Sequence, residues 1–204
     1  MDKIRFETPV AYHRVAGQWG GVYLLHSEGN HLISHTNIYS GNVGVYLNNS
    51  SWSVKPVLRI ENSKIHNFLF YGLIVINSDV KVYNSEISNT GSFSVYLNGG
   101  HHEFVHTTLA NFYNNNPAEP SSRDANPALM LMHLGRSLPM QVSFRNCVIA
   151  GSHANEMSIA SKFPAQFPAL FDHCYIRRSK ALESTVFSNI SWSGVRDTVF
   201  KQTS

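Results

Sequence analysis

Apolar and polar positions along the chain fall into a recurring six-residue pattern: an apolar residue, any residue, Asn or His, a Ser, Thr or Cys, any residue, then Ile or Leu. It reads Ile33-Ser-His-Thr-Asn-Ile38, Ile60-Glu-Asn-Ser-Lys-Ile65, Val82-Tyr-Asn-Ser-Glu-Ile87, Phe104-Val-His-Thr-Thr-Leu109, Phe144-Arg-Asn-Cys-Val-Ile149 and Phe171-Asp-His-Cys-Tyr-Ile176. The closing positions are separated by 27, 22, 22, 40 and 27 residues. A period near 22 that tolerates insertions is the mark of a solenoid in which each repeat closes one coil.

Each repeat divides into three short strands. The first contains Gly44–Leu47, Gly72–Val75, Ser94–Leu97 and Ala128–Leu131. Alternation turns Val45, Leu47, Leu73, Val75, Val95, Leu97, Leu129 and Leu131 inward. The second strand supplies the apolar residue that opens the pattern, and the third supplies the Ile or Leu that closes it. Between them the chain bends at His35, Asn62, Asn84, His106, Asn146 and His173, residue types that tolerate a left-handed backbone. The same logic puts a second corner at Gly41, Asn67, Asn89, Asn111 and Gly151.

Stacked coils with like residues in files predict an all-β fold, a parallel β-helix of about six to seven coils, right-handed by the preferred hand of parallel crossovers. A doubly wound α/β fold would need helical stretches between the strands, and no segment has that period. The chain reads as a single domain over 1–204, with a lead-in at 1–16, a loop insertion at 113–127 and an irregular segment at 180–204.

Composition agrees. Charged residues make up 14% of the chain and the net charge is +3, with Lys and Arg scattered rather than clustered. A nucleic-acid partner would need a basic stripe or patch, and Arg177-Arg178 is the one basic doublet. No apolar run reaches the length of a membrane span, and Met1-Asp-Lys-Ile-Arg-Phe-Glu7 is not a signal peptide. Cys147 and Cys174 share one file, where in-register parallel neighbours fit disulfide torsions poorly, so two buried free thiols are expected.

Gly17-Gln-Trp-Gly-Gly21, Tyr39-Ser-Gly-Asn-Val-Gly44, Gly99-Gly100 followed by Phe104-Val-His-Thr-Thr-Leu-Ala-Asn-Phe112, and Phe144-Arg-Asn-Cys-Val-Ile149 carry a family resemblance. Over about residues 12 to 200 the chain resembles right-handed β-helix repeat proteins of Bacteroidetes, within the pectate-lyase-like superfamily. The resemblance implies a cell-envelope or extracellular location. Against it stand the lack of a lipid-attachment cysteine near the start and an end just after Asp197-Thr-Val-Phe-Lys201, as expected of a piece of a larger protein. Enzymes of that superfamily act on polysaccharides with clustered carboxylates or carboxylate-held Ca²⁺. Here there is no Asp-Asp pair and no Asn-Thr-Asp or Arg-Ile-Lys element, so no catalytic constellation is recognisable. No cofactor or metal is expected.

Charges fall mostly on outward strand positions. Lys64 and Glu86 share a file on adjacent coils, as do Arg145 and Asp172, which reads as surface pairing. In His101-His102-Glu103, adjacent strand residues point to opposite faces, so the two histidines cannot serve one ligand.

The candidate binding residues lie on the outward face of the first strand. There Tyr23, Tyr46, Ile74, Tyr96, Met130 and Ser158 form a stripe that either packs under the 113–127 insertion or against another portion of the protein, or offers flat faces to sugar rings. Short turns at 77–79 and 98–101 between longer ones predict a notch with Asn77, Asp79, Asn98 and His101 on its floor. Trp52, Lys55 and Arg136 would be its walls. The expectation is a non-catalytic β-helix module of a cell-envelope protein that binds glycan or a protein partner along this face. The alternatives are a polysaccharide lyase or glycosidase and a structural spacer or adhesin shaft.

Overall fold

The computed structural model describes residues 5–6, 15–25, 29–49, 57–114, 126–133, 139–161, 169–181 and 186–193. Its strands form three parallel sheets, and each coil gives one strand to each sheet in turn, which makes the fold a parallel β-helix. The first sheet stacks Val22–Leu25, Val43–Asn48, Tyr71–Ile76, Val95–Asn98, Leu129–His133 and Met157–Ser161. The second stacks His31–Ser34, Val57–Glu61, Asp79–Tyr83, Gly100–Val105, Met140–Arg145, Ala169–Asp172 and Phe187–Ser188. The third runs from Arg5–Phe6 through Asn37–Tyr39, Lys64–Phe68, Glu86–Thr90, Thr108–Asn111, Val148–Gly151 and Tyr175–Arg177 to Ser191–Ser193.

The predicted files hold residue for residue. Ile33, Ile60, Val82, Phe104, Phe144 and Phe171 pair in succession across the second sheet. Ile38, Ile65, Ile87, Leu109, Ile149 and Ile176 do so across the third. All but Ile33 are fully buried in one continuous core. Phe104, Phe144, Phe171 and Phe187 stack with centroid separations of 4.5, 5.0 and 5.1 Å, within the range where aromatic pairs add stability beyond their buried area.

Left-handed backbone occurs at His35, Asn62, Asn84, His106, Asn146 and His173, with φ between 45° and 53°. The residue after each corner is the Ser, Thr or Cys of the pattern, and its hydroxyl or thiol donates to the carbonyl two residues back. Ser63 reaches Glu61 O at 2.6 Å, Ser85 reaches Tyr83 O at 2.8 Å and Cys147 reaches Arg145 O at 3.2 Å. Successive hydroxyls also link the coils, because Thr36 N–H donates to Ser63 Oγ and Ser63 N–H to Ser85 Oγ. That position is buried beside a sharp bend, so it selects small side chains able to satisfy the freed carbonyl.

The second corner differs from its expected composition. Asn67 and Asn89 are left-handed there, but the first member is Ser40 at φ 64°, not Gly41. Asn111 and Gly151 stay in extended strands and pair with each other. Asn111 serves inside instead: its carbonyl accepts from Thr90 N–H, and its amide donates to Thr90 Oγ1 and Ser92 O. Part of the segment expected to be irregular continues the helix. Phe187 joins the phenylalanine stack, Asn189 makes a left-handed corner at φ 53° and Trp192 pairs with Ile176. Of the insertion at 113–127, residues 115–125 lie outside the described residues.

Candidate functional site

The stripe on the first sheet is in register as expected. Tyr23, Tyr46, Ile74, Tyr96, Met130 and Ser158 are successive partners on its outward face. Tyr23 is 51% exposed, while Tyr46 and Tyr96 are half-buried. Tyr23 and Tyr46 meet edge to face at 5.9 Å. Asn48 Nδ2 donates to the Tyr46 hydroxyl at 3.0 Å, and the Tyr96 hydroxyl donates to Met132 Sδ at 3.0 Å. Burial, helped by the neighbouring Tyr71, pushes the Tyr96 phenol above its ordinary range, so it stays a neutral donor.

Two aromatic residues extend the stripe and were not singled out in the sequence. Tyr71 and Phe93 stack at 6.1 Å with 12° between their planes, and Phe93 lies 5.8 Å from Tyr96. Each directly precedes Gly72 or Ser94, which open the first strand. An aromatic before that small residue was the available signal. The stripe and its outward flanking file (Leu25, Asn48, Ile76, Asn98, Met132, Ala160) contain no charged side chain.

The notch does not assemble as a single floor. Asn77 sits at a left-handed corner, φ 50°, and its N–H donates to Asn98 O at 2.8 Å, at the edge between the first and second sheets. Asp79 and His101 belong to second-sheet strands rather than to turns. They bind each other: His101 N–H donates to Asp79 Oδ1 at 2.8 Å, and Nδ1 lies 3.5 Å from Oδ2. Trp52, Lys55 and Arg136 lie outside the described residues.

Asp79 and His101 instead open a shallow groove on the outer face of the second sheet. Its central file is Arg59, Lys81, Glu103 and Ser143. A chain of contacts crosses it. Arg59 pairs with Glu61 and lies over the Tyr83 ring at 5.4 Å. The Tyr83 hydroxyl donates to Glu103 Oε2 at 2.9 Å, and Arg145 pairs with Glu103 Oε1. Burial and this bond to Glu103 raise the Tyr83 phenol.

Of the two expected surface pairs, Lys64–Glu86 forms at 3.1 Å. Arg145 reaches diagonally to Glu103, while Asp172 accepts from Asn189 at 3.0 Å and lies 2.9 Å from His173 Nδ1. These two bonds hold the Asp172 carboxyl below the usual range.

His102 points into the core and is fully buried, as alternation required. Among the described residues no group of three or more His, Cys, Asp or Glu is arranged to hold a metal ion. Asp79 and Glu103 share the groove, yet each is committed to a cation or to a histidine. Cys147 and Cys174 are free, buried thiols. No described helix is long and apolar enough to cross a membrane. No protein-family profile, curated protein or solved structure matches the chain.

Proposed function

We propose that the chain is a non-catalytic β-helix module of a cell-envelope protein that binds glycan along the outward face of its first sheet. The observation that carries this reading is the uncharged aromatic array in which Tyr71, Phe93 and Tyr96 adjoin at 6.1 and 5.8 Å and Tyr23 and Tyr46 at 5.9 Å. Files on successive coils repeat every ~4.8 Å along the solenoid axis, so a linear sugar chain lying parallel to that axis meets one side chain per coil. Sugar rings present C–H faces that pack on such rings, while the Tyr hydroxyls and Asn48 supply the polar contacts that orient them.

A polysaccharide-cleaving enzyme of the superfamily resembled would call on Asp79 and Glu103. Their pairing with His101 and with Arg145 and Tyr83 ranks that reading second. A glycan array probed with the unaltered chain and with Tyr96→Ala is the test. Retention of a neutral glycan that falls at least tenfold in the variant, at unchanged circular dichroism, supports the reading. Retention of nothing by the unaltered chain leaves a spacer role in its place.

A further inference from the structure

Two of the five methionines in the chain, Met130 and Met132, stand two residues apart on the strand Leu129–His133. Burial alternates along it, so both methionines lie half-buried on the outward face while Leu131 and His133 turn inward. Tyr96 on the preceding coil is in register with Met130, and its hydroxyl donates to Met132 Sδ at 3.0 Å. Tyr96 thus neighbours both methionines. Asn98 is in register with Met132, and its Oδ1 is buried and accepts no hydrogen bond from any described residue. A buried oxygen without a donor is costly unless something else satisfies it, an ion included.

We infer that Met130 and Met132 form a binding site for a soft monovalent cation, Cu(I) by its chemistry, with the Tyr96 ring and Asn98 Oδ1 beside it. Thioether sulfur is a polarisable, uncharged ligand that favours Cu(I) over hard ions. The strand sets the two Cα atoms about 7 Å apart on one face, and each side chain has three rotatable bonds, so both sulfurs can turn to one ion. An aromatic face and an amide oxygen attract a cation without adding charge. Hard divalent ions gain little here, because neither outward file of the first sheet carries a carboxylate. Thioethers hold no proton to lose, so binding is independent of pH, unlike binding to a thiol or an imidazole. The site shares a face with the aromatic array but needs no sugar.

The probe is silver(I), which shares the charge and softness of Cu(I) and keeps its oxidation state in air. It is titrated in chloride-free buffer into the whole chain carrying isotope-labelled methionine methyl groups. The Met130 and Met132 methyl resonances should shift together, while those of the buried Met140 and Met157 stay in place. Affinity read from these shifts should be equal at pH 5 and pH 8. Cu(I) held in acetonitrile should reproduce both shifts, and zinc and calcium neither. Met132→Leu conserves volume, so it should keep the parent's thermal melt and bind silver at least tenfold more weakly. The methyl shifts of the unaltered chain are a test that needs no variant. The site is refuted if silver moves neither methyl, if it moves those of Met140 and Met157 equally, or if zinc or calcium moves the outward pair. It is refuted equally if affinity rises more than threefold from pH 5 to pH 8, or if Met132→Leu binds as tightly as the parent. No arm contains a glycan, so this site and the glycan reading stand or fail separately.

Discussion

Asn84 donates its side-chain amide to Oδ1 of Asn62 on the preceding coil at 2.7 Å, and both residues hold left-handed backbone at φ 45° and 46°. One position therefore carries two demands, a backbone that β-carbons resist and a bond along the stack. Asn84→Ala fails both and should destabilise the fold by about 2–3 kcal/mol. Asn84→Gly meets the backbone demand and loses only the bond, so its urea midpoint should fall between parent and Ala variant. A Gly variant as unstable as the Ala variant would show that backbone strain plays no part.

The files were legible because every coil repeats the environment of the one before, so the same residue types recur at the same offsets. Legibility failed where one coil solves a shared problem differently. Gly41 drew attention as a flexible residue, yet the left-handed position is its neighbour Ser40. Asn111 resembled a corner residue but turns inward to bind Thr90 and Ser92. The last described coil escaped the pattern because Ile190 replaces the small polar residue and Trp192 the aliphatic one. The second-sheet groove was missed because charges were matched along files. Glu103 meets Arg145 on the diagonal, and Asp172 is held by Asn189 and His173. Diagonal neighbours lie within reach of long side chains, and a sequence repeat does not display them.

His102 makes the fold sensitive to acid. It is fully buried, neither ring nitrogen has a full hydrogen bond, and the Gly99 backbone offers only partial relief. Burial, with His101 adjacent, lowers its pKa from 6.5 to about 3. Below 6.5 the unfolded chain takes up a proton that the folded chain refuses. This contribution to stability is therefore intact above pH 6.5 and shrinks by ~1.4 kcal/mol per unit as the pH falls toward 3. Its file neighbours are Val80 and Val142, so His102→Val fits the same space. Urea unfolding should find the variant more stable than the parent at pH 7.5, by an advantage about 2 kcal/mol larger at pH 5. An advantage that does not change with pH would mean that the imidazole takes up its proton at the same pH in the folded and the unfolded chain.

Cys147 and Cys174 occupy the file that Ser63, Ser85 and Thr107 fill on earlier coils, and they make the same bond to the carbonyl two residues back. The Cys174 contact and burial push the Cys147 thiol up, so it is an unreactive nucleophile. A colorimetric thiol reagent should find almost no reactive sulfur in the native chain and two per chain in denaturant. Because a hydroxyl serves the file equally well, Cys147→Ser should shift stability by less than about 1 kcal/mol, whereas Cys147→Ala leaves the Arg145 carbonyl without that donor and should destabilise by ~1 kcal/mol or more. Fast labelling of the native protein would mean that this part of the stack opens readily.

Gly44 and Gly72 are the second residues of their first-sheet strands, where Ile65 and Ile87 of the third sheet approach. A β-carbon on Gly44 would lie 2.2 Å from Gly72 O and 2.5 Å from Ile65 Cγ2. On the following coils the same file holds Ser94 and then Ala128, so the space widens along the axis. Gly44→Ala must push a backbone carbonyl that is fixed by the sheet, and that movement spreads to neighbouring coils. A loss of about 2–3 kcal/mol is expected, near the upper end of ordinary overpacking. Ala128→Gly removes one methyl group and should lose only about 1 kcal/mol, mostly through backbone entropy. Measured by denaturant midpoints, equal losses at both sites would mean that the sheets are not wedged together at the glycine end, and the close approach of Ile65 to Gly44 would then have no bearing on stability.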